Sequence, residues 1–190
     1  MNSLVQSFLD YRLVGLLKND YVYNEFSLQH ELGIYLRDEL KKVNNDYMVQ
    51  FERNVNNAFQ GNGITIKKEM DIYIYNKSDA NEKYAIELKF PRNGQYPVQM
   101  GCFVNDIDFM QDVKKIGKAT GTFVLTLVDD DKFYSNRKPL ETTGIYECFR
   151  DPNINGIYKP PQKVNNKYQI EWKPIIGADP KYRYYFLEIN

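Results

Sequence analysis

The sequence predicts a mixed α/β fold: a mixed central sheet flanked by helices, with a β-rich C-terminal extension. Three observations predict it. Residues 69–75 and 84–90 read as two strands joined by the polar turn Asn76–Glu82. A helical apolar pattern over 97–118 then leads into the nearly continuous apolar run Gly121–Val128. A strand–helix–strand succession of this kind makes a right-handed parallel crossover, which beside an antiparallel hairpin gives a mixed sheet.

The first element follows from Leu4, Val5, Phe8, Leu9, Leu13, Leu16 and Leu17. Their spacings of three and four predict an amphipathic helix over 3–18 that stops at Asn19-Asp20. A second helix is expected from Ser27, as its N-cap, to about Lys42. Leu28, Leu32, Tyr35, Leu36 and Leu40 form its inward stripe, and Glu31 borders that stripe. Residues 47–53 predict a strand, and the Asn- and Gly-rich stretch 54–63 a loop. Within 84–90, Tyr84, Ile86, Leu88 and Phe90 alternate with Ala85, Glu87 and Lys89. A period of two therefore sets Glu87 and Lys89 on one face.

Pro91 ends that strand, Arg92-Asn93-Gly94 turns the chain, and Pro97 is suited to open the next helix. The run 121–128 predicts a buried strand, and it ends in Asp129–Asp131. Beyond Lys132 the pattern loosens. One short helix around 144–149 and two strands, 168–173 and 182–189, are expected there. No internal repeat or linker composition appears, so residues 1–190 read as a single domain.

Composition narrows the function classes. Hydrophobic residues at 43% and charged residues at 26% exclude general disorder. Twenty-five basic residues balance 25 acidic ones, which argues against a protein that coats nucleic acid through bulk charge. An acidic pocket beside a basic groove gives the same zero total. No apolar run reaches the roughly 20 residues of a membrane span. The N-terminus carries no basic leader, and Asp10 and Arg12 interrupt its apolar run. With Cys102 and Cys148 far apart, the expectation is a soluble cytoplasmic protein with free thiols and no membrane partner.

The hairpin places Asp71 on its first strand and Glu87-Leu88-Lys89 near the end of its second. Phosphodiesters resist attack because the phosphate is anionic and the leaving alkoxide poor. A divalent metal on oxygen ligands overcomes both obstacles, and a nearby lysine stabilises developing charge. Asp71, Glu87 and Lys89 supply these groups. The Leu88 carbonyl adds a backbone ligand, and Glu31 a further carboxylate from the helix.

Asp71, fifteen residues, then Glu87-Leu88-Lys89, with a helix before and a helix and apolar strand after, resembles the PD-(D/E)XK nuclease superfamily. The resemblance covers roughly residues 27–128 as an αβββαβ order, the restriction-endonuclease-like core. It implies a Mg²⁺-dependent DNA endonuclease of restriction, repair or mobile-element type, with Mn²⁺ as substitute. Asp71 and Glu87 would be metal ligands, Lys89 the catalytic lysine, and Glu31 the helix glutamate of some members. DNA is the implied partner, and pairing of two active sites implies a homodimer. Met70 stands where the motif's proline would be. Lys67, Lys68, Arg92, Lys114, Lys115 and Lys118 are candidate phosphate contacts.

Competing readings use the same residues. Glu87 and Lys89 also suit a same-face salt bridge, and Glu69 rivals Asp71 as a ligand. A catalytically inactive nuclease-fold subunit of a DNA-processing or defence complex fits the neutral charge and small size. A metal-free carboxylate-pair hydrolase, such as a glycosidase, leaves Lys89 without a task. His30 is the lone histidine and has no nucleophile motif beside it, and a zinc site would need His30, Cys102 and Cys148 from distant segments. Asp108 and Asp112 suit a polar helix face, and Asp129–Asp131 an acidic loop.

Overall fold

A computed structural model describes residues 1–59, 69–92, 94–95, 98–135, 149 and 168–190, with Ile116 by its backbone only. Lys67, Lys68, Pro97, Cys148 and nearly all of the helix expected over 144–149 lie outside the described residues. The chain is a mixed α/β protein whose six-stranded sheet is flanked by helices.

The N-terminal helix is not continuous. It runs as α1 (Asn2–Ser7), a π-helical turn (Phe8–Arg12) and α2 (Leu13–Lys18). The extra residue per turn lets Val5, Phe8, Leu9, Leu13 and Leu17 all stay buried. Helix α3 (Glu25–Val43) begins before the expected Ser27 cap. Its N-cap is Asn24, whose side chain accepts from the Ser27 N–H at 2.8 Å. Ser27 Oγ in turn accepts from the Asn24 N–H at 2.9 Å, a reciprocal capping box. Ser27 is thus the third helical residue, and Glu25 is the first.

Strand β1 (Tyr47–Asn54) leads into a short helix α4 (Val55–Phe59), which buries Val55, Ala58 and Phe59 where the sequence suggested only loop. The hairpin follows as β2 (Glu69–Asn76) and β3 (Lys83–Lys89), then α5 (Val98–Gly117) and β4 (Gly121–Val128). After a 3₁₀ turn at Asp131–Phe133 come β5 (Lys173–Pro174) and β6 (Arg183–Ile189). The expected strand at 168–173 is therefore reduced to a bridge at Tyr168 and the two residues of β5.

The sheet order is β1-β2-β3-β4-β6-β5. Only β3 and β4 run parallel, as the α5 crossover dictates. Strand β4 is buried at every position, Thr122 and Thr126 included, as its nearly continuous apolar run suggests. One face of the sheet packs Tyr73, Ala85, Val124, Val128 and Tyr185 with α4 and α5. The other packs Ile72, Ile74, Ile86, Leu88, Leu125 and Tyr184 with α1, α2 and α3. Glu87 and Lys89 keep step with Ala85 and so belong to the α5 face.

Helix α3 approaches β1 at Gly33, where an added Cβ would fall on the Phe51 ring. Gly33→Ala is expected to destabilise the protein by about 1–3 kcal/mol through overpacking. Urea unfolding should show a lower midpoint at unchanged slope.

Candidate active site

The site forms where β1, β2 and β3 stop pairing regularly. Strand β2 pairs with β3 from Tyr75↔Lys83 to Ile72↔Ile86 and no further. One step on, the next pair in register would be Asp71 with Glu87. In place of a ladder bond, Asp71 Oδ2 accepts from the Leu88 N–H at 2.6 Å. On the other side β1 carries Glu52 with φ 48°, a left-handed backbone unusual for a residue with a Cβ. The ladder skips Glu52 and Asp71 and resumes at Arg53↔Met70. A local break in both strands therefore frees the Asp71 carboxylate, and strain of this sort is characteristic of functional sites.

Helix α3 holds the break in place. Glu25 and Gln29, four residues apart, project from one face of it. Gln29 Nε2 donates to the Asp71 carbonyl and to Glu52 Oε1, each at 2.6 Å. Glu25 Oε1 meets Lys89 Nζ at 3.0 Å, and its Oε2 accepts from the Phe90 N–H at 3.0 Å. On the α5 face Glu87 is only 5% exposed and Asp106 only 3%.

These neighbours set the protonation states. Burial pushes the Asp71 carboxyl up to about 7; the Leu88 N–H opposes this, and the carboxylates of Glu25 and Glu52 reinforce it. Burial alone would lower the Lys89 ammonium, but Asp106, Glu25 and Asp71 outweigh it and hold it above its ordinary value. Lys89 is thus a permanent cation among three carboxylates, and Asp71 is an acid on the edge of neutrality.

Asp71 comes together with the Leu88 backbone and the charge of Lys89 here, while Glu87 is buried on β3 at the next position in register opposite Asp71. Glu69 is exposed and paired opposite Asn54, which leaves Asp71 as the carboxylate of the break. Glu31 lies elsewhere: it lines a cavity with Phe8, Arg12 and Tyr35 between the N-terminal helices and α3, and His30 Nδ1 is 3.8 Å from it. Glu25, not Glu31, is the helix carboxylate beside Lys89. Arg92 reaches the rim but is engaged, with Nε 2.8 Å from Asp129 Oδ2, a bond to the Tyr23 carbonyl, and its guanidinium over the Phe90 ring. Lys114, Lys115 and Lys118 do not join the site. Lys114 and Lys115 end α5 and Lys118 follows it, shortly before Gly121, which pairs with Tyr84, whereas Lys89 pairs with Thr126. Five residues of strand, about 17 Å, separate Tyr84 from Lys89.

Sequence reasoning missed Glu25, Gln29, Glu52 and Asp106. Asp106 lies three residues after Phe103 and four before Met110, in phase with the buried stripe of α5, and that spacing was the available signal. The positive φ of Glu52 had none.

Among the described residues no group of three or more His, Cys, Asp or Glu side chains is gathered so as to hold a metal ion. The donor set nevertheless fits Mg²⁺, which binds through one or two carboxylates and keeps several waters. Asp71 and Glu87 supply two hard oxygen donors. Burial, reinforced by the carboxylates of Glu25 and Glu52, lifts the Asp71 carboxyl, and a bound cation would hold it ionised. No helix of the described residues is long and apolar enough to cross a membrane. Comparison with known proteins finds no match for this chain among protein-family models, curated proteins or solved structures.

Proposed function

We propose that this protein is a Mg²⁺-dependent DNA endonuclease with its active site at the break between β2 and β3. The observation that carries this reading is the Asp71–Leu88 bond, which brings a carboxylate of β2 onto the Glu87-Leu88-Lys89 backbone. The resemblance of these residues and of the element order to the PD-(D/E)XK superfamily supports it further. Exposed Tyr21, Tyr23 and Phe26 flank Glu25 and offer aromatic surface to unstacked bases.

In this reading Asp71, Glu87 and the Leu88 carbonyl hold the metal, with Mn²⁺ able to replace it. The metal supplies Lewis-acid polarisation of the phosphate and a water of lowered pKa. Lys89 contributes a fixed positive charge to the phosphate oxygens, where negative charge builds in the transition state. Glu25 sets the direction of the Lys89 side chain, and Asp106 keeps it protonated. Gln29 fixes the backbone of Asp71 and the carboxylate of Glu52 at one distance from each other.

A second reading, a catalytically inactive binding subunit of a DNA-processing or defence complex, draws on two observations. Lys89 is already engaged by Glu25, and among the described residues no group of three or more His, Cys, Asp or Glu side chains is gathered so as to hold a metal ion. Calorimetric titration with Mn²⁺ separates the two. The endonuclease reading expects one saturable site in the wild type that Asp71→Ala abolishes. Identical heats for both proteins would favour the binding subunit.

A further inference from the structure

A second cavity, of about 350 Å³, opens on the α4 side of the sheet and runs along β2 from Arg53, opposite Met70, to Lys77 beyond the strand's end. Gln50, Arg53, Tyr73, Tyr75, Lys77 and Lys83 give it its character. The volume lies at the lower end of the roughly 300–1,000 Å³ of small-molecule sites.

Its construction follows from the break described above. Gln50 and Arg53 are three residues apart, so a regular strand would point them to opposite faces. The left-handed Glu52 between them resets the alternation and turns both to the α4 side. In β2 the same offset sets Met70 and Tyr73 in one core layer. Tyr73 and Tyr75 stack with ring centroids 5.5 Å apart and planes at 22°. Tyr73 is buried, while Tyr75 is partly accessible and presents an aromatic surface.

Three features point to a ligand. Arg53, Lys77 and Lys83 line the cavity, and none of the described lining residues is acidic. Three acids adjoin lining residues along the chain, and each is engaged: Glu82 Oε2 by the Tyr47 hydroxyl and Asn76 Nδ2, both at 2.7 Å, Glu52 Oε1 by Gln29, and Asp79 Oδ1 by the Asn81 N–H. Second, Arg53 Nε and Gln50 Oε1 are buried atoms with no hydrogen-bond partner among the described residues. Buried polar atoms of this kind call for an occupant. Third, the basic end of α5 lies close by: Lys114 donates to the Thr120 carbonyl, and the Thr120 N–H donates to the Lys83 carbonyl.

We infer that this cavity binds a nucleoside phosphate. The base stacks on Tyr75 and donates to Gln50 Oε1, and the phosphate lies among Arg53, Lys77 and Lys83. The cations alone would suit any anion; the stacked tyrosines and the orphaned acceptor select for an aromatic base. The same unit is available as a free nucleotide or within a single strand. This site stands apart from the metal-dependent reading and does not rest on it.

The test is calorimetric titration of the full chain, in chelator, with AMP, inorganic phosphate and a short single-stranded oligoadenylate. AMP or the oligonucleotide should bind saturably and more tightly than phosphate. A preference for the oligonucleotide identifies the strand as the source, and a preference for AMP the free nucleotide. Tyr75→Ala should weaken binding by about 5- to 150-fold, the loss of one stacked base. Lys83→Gln, at a partly exposed position, should weaken it by several-fold and serves if the Tyr75 variant does not fold. Asp71→Asn should leave it unchanged. No saturable binding of AMP or oligonucleotide would mean that water alone fills the cavity, and the inference falls. Equal affinity for phosphate and AMP, or a folded Tyr75→Ala that binds as wild type, would also overturn it. Because chelator is present, loss of the endonuclease reading alone leaves these outcomes untouched.

Discussion

Lys89→Ala is expected to slow DNA cleavage by about 10²–10³-fold, the loss that follows removal of one preorganised charge from a developing oxyanion. The variant also removes a cation that Asp106, Glu25 and Asp71 surround, with the Lys89 side chain only 19% exposed. Glu25 keeps its bond from the Phe90 N–H when Lys89 is truncated. The variant should therefore stay folded but lose about 1.5–3 kcal/mol of stability, the usual loss of a hydrogen bond to a charged group. Single-turnover rates on a labelled duplex, together with urea midpoints, check both halves. A folded Lys89→Ala that cleaves at the wild-type rate would remove the lysine from the mechanism.

Asp71→Asn should make the metal-free protein more stable and the enzyme inactive. The Asp71 carboxyl is raised from 3.8 to about 7, chiefly by burial. Between those values the native state holds a proton that the unfolded chain has released. Stability is thus fully present below about pH 4 and is lost as pH rises through about 7. Asparagine cannot ionise and still accepts from the Leu88 N–H. Above pH 7 the variant should gain on the order of 4 kcal/mol over wild type, while below pH 4 the two should coincide. Saturating Mg²⁺ at pH 8 should raise the Tm of wild type and leave that of Asp71→Asn unchanged, because the cation binds only the native carboxylate. Parallel pH curves for both proteins would show that Asp71 is not the strained acid of this site.

Much of the frame was legible in the residues. The alternation of Tyr84–Phe90 announced β3 and put Glu87 and Lys89 on one face. The apolar run 121–128 announced a strand buried on both sides, and the intervening helix announced its parallel pairing with β3. The same topology implied that lysines ending α5 would lie beside the start of β4, far from Lys89, although proximity in sequence suggested otherwise.

What was hidden depended on tertiary or capping detail. Either Asn24 or Ser27 is a good N-cap by type. Choosing Ser27 left Glu25 outside the helix and made Glu31 the natural carboxylate of the stripe. The reciprocal bonds of Asn24 and Ser27 move the helix start and bring Glu25 and Gln29 onto the inward face. The left-handed Glu52 has no local signal, since neither glycine nor asparagine marks it. Gln29 braces it, gripping Glu52 and the Asp71 carbonyl at once. The shared face of Gln50 and Arg53 follows from the left-handed turn at Glu52.

The central claim is that the break at Asp71, Glu87 and Lys89 cleaves phosphodiesters with a divalent metal. Incubation of supercoiled plasmid with purified protein and Mg²⁺ tests it most directly. The expected result is nicked or linear DNA that disappears in chelator and in Lys89→Ala. Plasmid, linear and branched DNA all left intact by wild-type protein, with Mg²⁺ and with Mn²⁺, would contradict it.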